Sequence, residues 1–298
     1  IFADTNINSK TGIKIDETTN KSDSYNASNQ LIASYIAIKF PFTSKLLLYT
    51  GVRNEITRQQ LNSFSSDNAS DTINLDLKEF RFFPSANLSY NFTEKTLIRS
   101  SYGMTINRPE FREAAPFSFY DFVLKKLIRG NPGLVNAIIH NYDLRFEHYP
   151  SPNEIISFGI FYKDFIHPIE TVEINSGSGK DYTFQNALGA KSYGMEMEIR
   201  KSFESFGKKI PFLKNFRNLM VITNFSLIKS EIRLDTAINF ATTSVRAMQG
   251  QSPFIVNCGL FYQSEKLGLT ASALYNIIGK RIVTVGLDLP DVYEMPRH

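Results

Sequence analysis

Hydrophobic and polar side chains alternate along much of the chain, and residues 141–149, NYDLRFEHY, show the pattern most clearly. Successive side chains of a β-strand point to opposite faces, so this stretch predicts a strand with one charged face and one apolar face. The polar set is Asn141, Asp143, Arg145 and Glu147, and the apolar set is Tyr142, Leu144 and Phe146.

The same alternation recurs along the chain and predicts about ten strands. Most of them run for about ten residues, which is longer than the usual five or six. The predicted strands are residues 31–40, 46–55, 81–92, 96–108, 141–149, 155–163, 193–201, 220–231, 254–263 and 267–276.

Short and long connections follow each other in turn between these strands. The short ones are residues 40–45, 91–95, 149–154 and 264–266, and the somewhat longer segment 202–218 belongs to the same series. The long polar ones are residues 63–76, 109–137, 166–191 and 235–251. All long connections therefore fall at one end of the strands, which predicts an up-and-down meander with two different ends.

Alternation alone does not identify the surroundings of the sheet, because a soluble antiparallel sheet with one face on a core gives the same pattern. Three features favour a membrane. The strands reach the roughly 9–11 residues that a tilted strand needs to cross a bilayer. The long and short connections segregate as they do in outer-membrane barrels, and the polar faces are unusually ionic.

We therefore predict an all-β fold, an antiparallel up-and-down transmembrane β-barrel. It is partial, with about ten strands, long extracellular loops and short periplasmic turns. A soluble β-sandwich remains the alternative.

Composition excludes some classes of binding partner and of covalent cross-link. The 298 residues include 33 Lys and Arg against 29 Asp and Glu, a balance too even to indicate nucleic-acid binding. Cys258 is the single cysteine, so no intrachain disulfide can form. The first residues, IFADTNINSK, lack the pattern of a signal peptide, and we expect the chain to be a piece of a longer protein.

Residues 106–149 carry several short motifs in a fixed order. They are Arg108-Pro109, then Pro116, Phe117, Phe119 and Asp121, then Gly130, Asn131, Pro132 and Leu134; further on come Asn186 and Ala187, then Tyr193, Gly194 and Glu196. In this order the motifs resemble the barrel of TonB-dependent outer-membrane receptors, especially those of Bacteroidetes-type bacteria. The resemblance is good over residues 85–201 and rests on the strand pattern elsewhere.

The resemblance implies an energised importer of a scarce nutrient such as a siderophore, a cofactor or an oligosaccharide. Such receptors have about 22 strands around a plug, so residues 1–298 are expected to be one barrel segment without a plug domain. The implied partners are outer-membrane lipid, the TonB complex through the missing plug region, a surface lipoprotein, and a small-molecule or oligosaccharide ligand. The alternatives are a non-transporting barrel acting as an adhesin or assembly scaffold, and a soluble carbohydrate-binding β-sandwich.

Candidate site residues fall into two groups. In plugged barrels the long outer loops and the upper lumen wall bind the substrate, so the predicted contacts are Arg108, Arg112, Phe117, Tyr120 and Arg129 on the loop after Ile106. The residues predicted to face the barrel lumen are Asp143, Arg145, Glu147, Glu196, Glu198 and Arg200. Within the loop, apolar residues near helical spacing in FYDFVLKKLI predict a short helix over residues 119–128.

Sequence motifs for catalysis and metal binding are incomplete or absent. Residues 176–182, SGSGKDY, lack the first glycine and the final Ser or Thr of a phosphate-binding loop. The histidines His140, His148, His167 and His298 form no close ligand pair, so no metal site is predicted. We expect no catalytic residue, no cofactor and no nucleic-acid partner, and therefore no enzyme.

Overall fold

The computed structural model of the protein describes residues 21, 24–64, 71–122, 125–175, 180–204, 218–233, 245–264, 268–286 and 290–296. These residues form strands almost throughout. The elements in chain order are β1 (Tyr25–Pro41), β2 (Leu46–Phe64), β3 (Thr72–Thr93), β4 (Thr96–Asn107), α1 (Phe111–Ala114), β5 (Ser118–Asp121), β6 (Lys126–Arg129), β7 (Ala137–His148), β8 (Ile155–Ile166), β9 (Ile169–Asn175), β10 (Lys180–Asn186), β11 (Gly189–Ser202), β12 (Leu219–Arg233), β13 (Val245–Arg246), β14 (Phe254–Ser264), β15 (Leu269–Ile278), β16 (Arg281–Gly286) and β17 (Val292–Glu294). No α-helix among the described residues is long and apolar enough to cross a membrane.

Ten strands form one large antiparallel sheet, which we call the wall. Their order is β1-β2-β3-β4-β7-β8-β11-β12-β14-β15, and the two-residue strand β13 adds to β12. Neighbours in the wall follow each other along the chain apart from the strands of the long connections. This confirms the predicted antiparallel up-and-down meander.

The short connections are tight turns at one end of the wall. The hydroxyl of Thr43 accepts hydrogen bonds from the backbone N–H groups of Lys45 and Leu46, at 3.2 and 2.9 Å. Thr93 does the same for Lys95 at 3.2 Å in the next turn of this kind. A threonine hydroxyl that satisfies the turn backbone explains why so few residues suffice to reverse the chain.

The strand registers show that the predicted apolar sets share one face of the wall. Tyr142 lies opposite Tyr102 on one side and Tyr162 on the other, and Tyr162 lies opposite Tyr193. Four tyrosines thus form a continuous row across β4, β7, β8 and β11. We call this side of the wall the apolar face and the other side the polar face.

Burial on the two faces is the reverse of that in a soluble sheet. Phe146 on the apolar face is 41% exposed, whereas Glu147, the next residue and on the polar face, is 4% exposed. Phe158 and Ser157 on β8 repeat this contrast, at 47% and 3%. A water-soluble protein would bury the phenylalanines, so the apolar face requires an apolar solvent.

Several wall strands are longer than predicted. β3 has 22 residues and β2 has 19, so the pair includes residues 63, 64 and 72–76 of the predicted loop 63–76. Leu75 and Leu77 still alternate with polar residues there, but the strand register places them on the polar face of the wall. The alternation therefore continues with its two faces exchanged at the end where the long connections begin.

The long connections themselves form a second sheet, which we call the outer sheet. Its order is β17-β16-β9-β10-β6-β5, with parallel pairing of β10 to β6 and of β16 to β9. Val172, Ile282 and Val285 are buried together within it. The predicted polar loops are therefore partly β-structure with a small apolar core.

The helix predicted over residues 119–128 is wrong. Its described residues belong to the antiparallel pair β5–β6, in which Phe119 lies opposite Ile128. The helix α1 lies earlier in the chain and begins with a capping box between Glu110 and Glu113. Sheet pairing places Phe119 and Ile128 on a buried face, and this tertiary contact outweighs the helical spacing.

Candidate functional site

The first candidate site lies where the connection between β4 and β7 meets the outer sheet. Its start is fixed by Arg108, whose Nη2 donates to Glu55 Oε2 on β2 at 2.7 Å. Arg53 Nε donates to the other oxygen of the same carboxylate at 2.8 Å. The guanidinium of Arg108 is thus occupied in attaching the connection to the wall.

Phe117 also has a packing role. It is buried and stacks on Tyr25 of β1, with ring centroids 5.3 Å apart. Leu61 and Ala115, both at 0% exposure, belong to the same cluster. This cluster joins the connection to the first two strands of the wall.

The remaining predicted contact residues are exposed. Tyr120 and Arg129 lie on one face of the β5–β6 hairpin, since Tyr120 is opposite Leu127 and Arg129 is opposite Ser118. Arg112 lies near the hairpin, with its guanidinium 5.3 Å from the ring centroid of Phe119. Three of the five predicted residues can therefore contact a ligand.

Sequence reasoning missed two members of this surface. Phe122 is 83% exposed and meets Tyr120 edge-on, with ring centroids 5.2 Å apart. Leu127 lies beside them across the hairpin. The signal was the alternation of Ser118, Tyr120 and Phe122. We call the exposed surface formed by Tyr120, Phe122, Leu127 and Arg129 the hairpin patch.

Two asparagines of the sequence motifs hold this region together. Asn186 accepts the backbone N–H of Val135 at 2.9 Å and donates to the carbonyls of Val135 and His167 at 3.0 and 2.7 Å. Asn131 donates to the carbonyl of Phe184 at 2.8 Å. The side chains thereby tie the β6–β7 segment to β10, and β10 to the residue between β8 and β9. Both asparagines belong to the motifs that carry the resemblance, and their side chains hold the long connections together.

Gly130 shows the same close packing. A Cβ at this position would lie 2.0 Å from the carbonyl oxygen of Ala115. Any larger residue would separate β6 from the segment after α1.

In α1, burial and the nearby Glu110 carboxylate raise the pKa of Glu113 above its ordinary value, against the opposing effect of a backbone hydrogen bond.

A buried ion pair fixes the connection between β12 and β14 to the outer sheet. Arg246 donates to both carboxylate oxygens of Glu170 on β9, from Nη1 at 3.1 Å and from Nη2 at 2.6 Å. The Glu170 side chain is 3% exposed. Gln249 adds bonds to the backbone of Thr171 and Val283, at 2.9 and 2.7 Å. These contacts could not be predicted from the sequence, because the partners lie far apart in the chain.

A second cluster lies on the polar face near the short turns. Arg145 contacts Glu147 at 3.3 Å and Glu198 at 3.0 Å, and Arg200 contacts Glu198 at 3.6 Å. Four of the six residues predicted to face the lumen are thus brought into one network. Arg99, missed by sequence reasoning, adds a contact to Glu147 at 3.5 Å.

The other two residues of that prediction lie on the same face outside the network. Asp143 is exposed and accepts a bond from Ser101 at 3.4 Å, and Glu196 is exposed. At the turn, the phenol of Tyr149 donates to Glu147 at 2.8 Å. Burial and the Glu147 carboxylate raise the pKa of this phenol.

Comparison with known proteins agrees with this architecture. The profile of the outer membrane protein beta-barrel family matches residues 2–274. No curated protein sequence matches the chain at a significant level.

Several solved structures share the fold. The ferric enterobactin receptor of Pseudomonas aeruginosa has 14% identity and a TM-score of 0.52, over 91% of this chain and 46% of that one. The copper transporter OprC has 12% identity and a TM-score of 0.63, over 91% and 38%. The ferric yersiniabactin uptake receptor FyuA of Yersinia pestis has 13% identity and a TM-score of 0.61, over 92% and 37%. The chain therefore spans less than half the length of these structures.

Proposed function

Because the chain belongs to the outer membrane protein beta-barrel family, we propose that it forms part of the barrel of a receptor that imports a scarce nutrient with energy from TonB. The protein lies in the bacterial outer membrane, where the apolar face contacts lipid and the polar face lines the barrel interior. As part of this proposal, the rest of the barrel, the plug and the contact with TonB belong to a longer parent protein of the Bacteroidetes type.

The observation that carries this proposal is the outer sheet with its hairpin patch. Long connections that only link strands do not need a shared sheet with its own core. Here two separate connections and the segment after β15 combine into one sheet, which presents Tyr120, Phe122 and Arg129 together. Binding surfaces on loops are characteristically held by a rigid scaffold in this way.

The chemistry of the hairpin patch favours a ligand with flat apolar surface and negative charge. Tyr120 and Phe122 offer aromatic faces and edges for stacking. The guanidinium of Arg129 offers planar donors that match carboxylates or similar anions, and Arg112 lies near the hairpin without belonging to the patch. A ferric siderophore has both properties, and two of the structures that share the fold are receptors for ferric siderophores.

The polar-face network supports an aqueous interior for passage. Arg145, Glu147 and Glu198 would each carry a large cost in lipid but are acceptable in a water-filled lumen. Asp143, Glu196 and Arg200 extend the same surface, and we propose all six as residues of the lumen wall. No bond chemistry is needed, since binding and gated passage suffice for import.

The proposal is tested with the intact parent protein in cells lacking other receptors. Uptake of radiolabelled iron as ferric enterobactin, a copper salt, cyanocobalamin and a maltooligosaccharide is compared with and without functional TonB. We expect TonB-dependent uptake of one probe, with binding weakened about tenfold or more by Arg129→Ala combined with Tyr120→Ala. Tyr293→Ala, at the other edge of the outer sheet, is the matched aromatic control and should bind normally.

Equal uptake of every probe with and without TonB would contradict import. An adhesin or an assembly scaffold would give that result while still reaching the outer membrane. Uptake that depends on TonB but is unchanged by the double substitution would retain import and remove the hairpin patch from ligand binding.

A further inference from the structure

The apolar face carries a shallow groove that transport does not use. It has a volume of about 380 Å³ and lies across β3, β4, β7 and β8. Its lining on the apolar face consists of Ala86, Leu88, Ser100, Tyr102, Tyr142, Leu144, Ile160 and Tyr162. The volume is within the range of about 300–1,000 Å³ that is typical of small-molecule sites.

Small side chains among large ones produce the groove. Ser100 lies between Leu88 and Leu144 in the strand register, and Ala86 lies opposite Tyr102. The neighbouring strands fill the same surface with leucine, isoleucine and tyrosine. The depression is therefore built by the sequence of β3 and β4, and it opens onto the face that contacts lipid.

The end of the groove nearest the long connections is polar. The hydroxyl of Tyr102 lies 3.0 Å from Nδ1 of His140. His140 is opposite Asp164, and Asp164 is opposite Lys191. This row continues on β12, where Glu231 is opposite Lys191 and 2.8 Å from the Nζ of Lys229.

Such a row has a defined depth in a membrane. A lysine near the midplane of a barrel costs roughly 2–4 kcal/mol, and the cost falls to about 0–1 kcal/mol near the interface. Tyrosines gather at the level of the lipid headgroups. The tyrosine row followed by the charged row therefore marks the headgroup level, and the groove extends from it towards the membrane centre.

We propose that the groove binds one acyl chain of an outer-leaflet phosphoglycolipid, whose headgroup phosphate contacts the charged row. The long connections of outer-membrane barrels are extracellular, so a lipid with its head at this end belongs to the outer leaflet. Lys191 and Lys229 supply ammonium groups for the phosphate. Asp164 lies opposite Lys191 on β8, and Glu231 lies opposite Lys191 on β12 and pairs with Lys229.

The test is native mass spectrometry of the intact protein after delipidation and addition of lipid A, phosphatidylglycerol or phosphatidylethanolamine. We expect lipid A to be retained preferentially. Ala86→Phe fills the groove and should lower retention of lipid A roughly tenfold. The matched control is Ala273→Phe, on the same face of β15 but outside the groove, and it should retain lipid A normally.

A second pair of variants tests the headgroup contact without altering the groove. Lys191→Gln combined with Lys229→Gln should lower lipid A retention several-fold. Lys163→Gln, on the polar face of β8, should leave it unchanged. Equal retention of all three lipids, or equal retention by all variants, would overturn the proposal, and so would a preference for phosphatidylethanolamine.

Discussion

The wall and the outer sheet are both β-structure, yet their apolar side chains differ in exposure. In the wall, Phe146 is 41% exposed whereas Glu147 is 4% exposed; in the outer sheet, Val172 and Ile282 are almost completely buried. The outer sheet follows the rule for a protein in water, and the wall follows the rule for a barrel in lipid. One chain thus folds in two solvents, with lipid at the wall and water at the outer sheet. The change occurs at the charged row, which consists of His140, Asp164, Lys191 and Glu231.

The largest expected effect concerns the buried ion pair of the outer sheet. Arg246→Ala leaves the Glu170 carboxylate buried without its partner, and the local free energy of unfolding should fall by about 3–5 kcal/mol. Hydrogen exchange of β9 should accelerate while exchange in the wall stays slow. Arg281→Ala removes a more exposed pair with Glu294 and should cost only about 0–1 kcal/mol.

A charge on the apolar face should have the next largest effect. Leu144→Arg places a guanidinium in lipid, and the barrel should lose roughly 2–4 kcal/mol on urea unfolding in lipid vesicles. Leu188→Arg is the control, since Leu188 is also exposed but lies in the connection between β10 and β11. If both substitutions were neutral, the apolar face would be in water.

Removing the Asn186 side chain, which holds the long connections together, should have an intermediate effect on stability. Asn186→Ala removes three hydrogen bonds and leaves backbone groups of Val135 and His167 unpaired, so about 1–3 kcal/mol of local stability should be lost. Hydrogen exchange at the start of β7 measures this. Asn153→Ala, in an exposed turn at the other end of the wall, should change nothing.

The smallest effect is a pH dependence of α1. The pKa of Glu113 is raised in the folded chain, so the folded state binds a proton more tightly than the unfolded state. The resulting stabilisation is complete below the ordinary glutamate pKa and is lost as pH rises through the raised value. The protection factors of the α1 amides, which exclude the intrinsic pH dependence of hydrogen exchange, should therefore rise on acidification, and Glu113→Gln should remove that dependence.

The wall was predictable because its signal is local. Tyr142, Leu144 and Phe146 define the apolar face within five residues, and lipid keeps that alternation strict. Glu147 and Arg145 were likewise assigned to the polar face from their own strand. Arg99 was missed because its contact with Glu147 depends on the register of two strands.

The outer sheet was not predictable, because contacts distant in sequence decide it. Ile128 of β6 pairs with Tyr182 of β10, and no pattern within residues 119–128 encodes that neighbour. The same reason applies to the candidate site. Arg108 and Phe117 have the chemistry of ligand contacts, but their partners Glu55 and Tyr25 lie more than fifty residues away in the chain.

The contrast between the two solvents can be measured directly with spin labels in a lipid bilayer. Single labels at positions 144 and 158 of the apolar face are compared with labels at 196 of the polar face and 188 of the β10–β11 connection, in an intact protein whose other cysteines are replaced. We predict that molecular oxygen relaxes the first two labels more strongly, and that a water-soluble nickel chelate relaxes the last two. Strong relaxation of the labels at 144 and 158 by the nickel chelate would contradict the account.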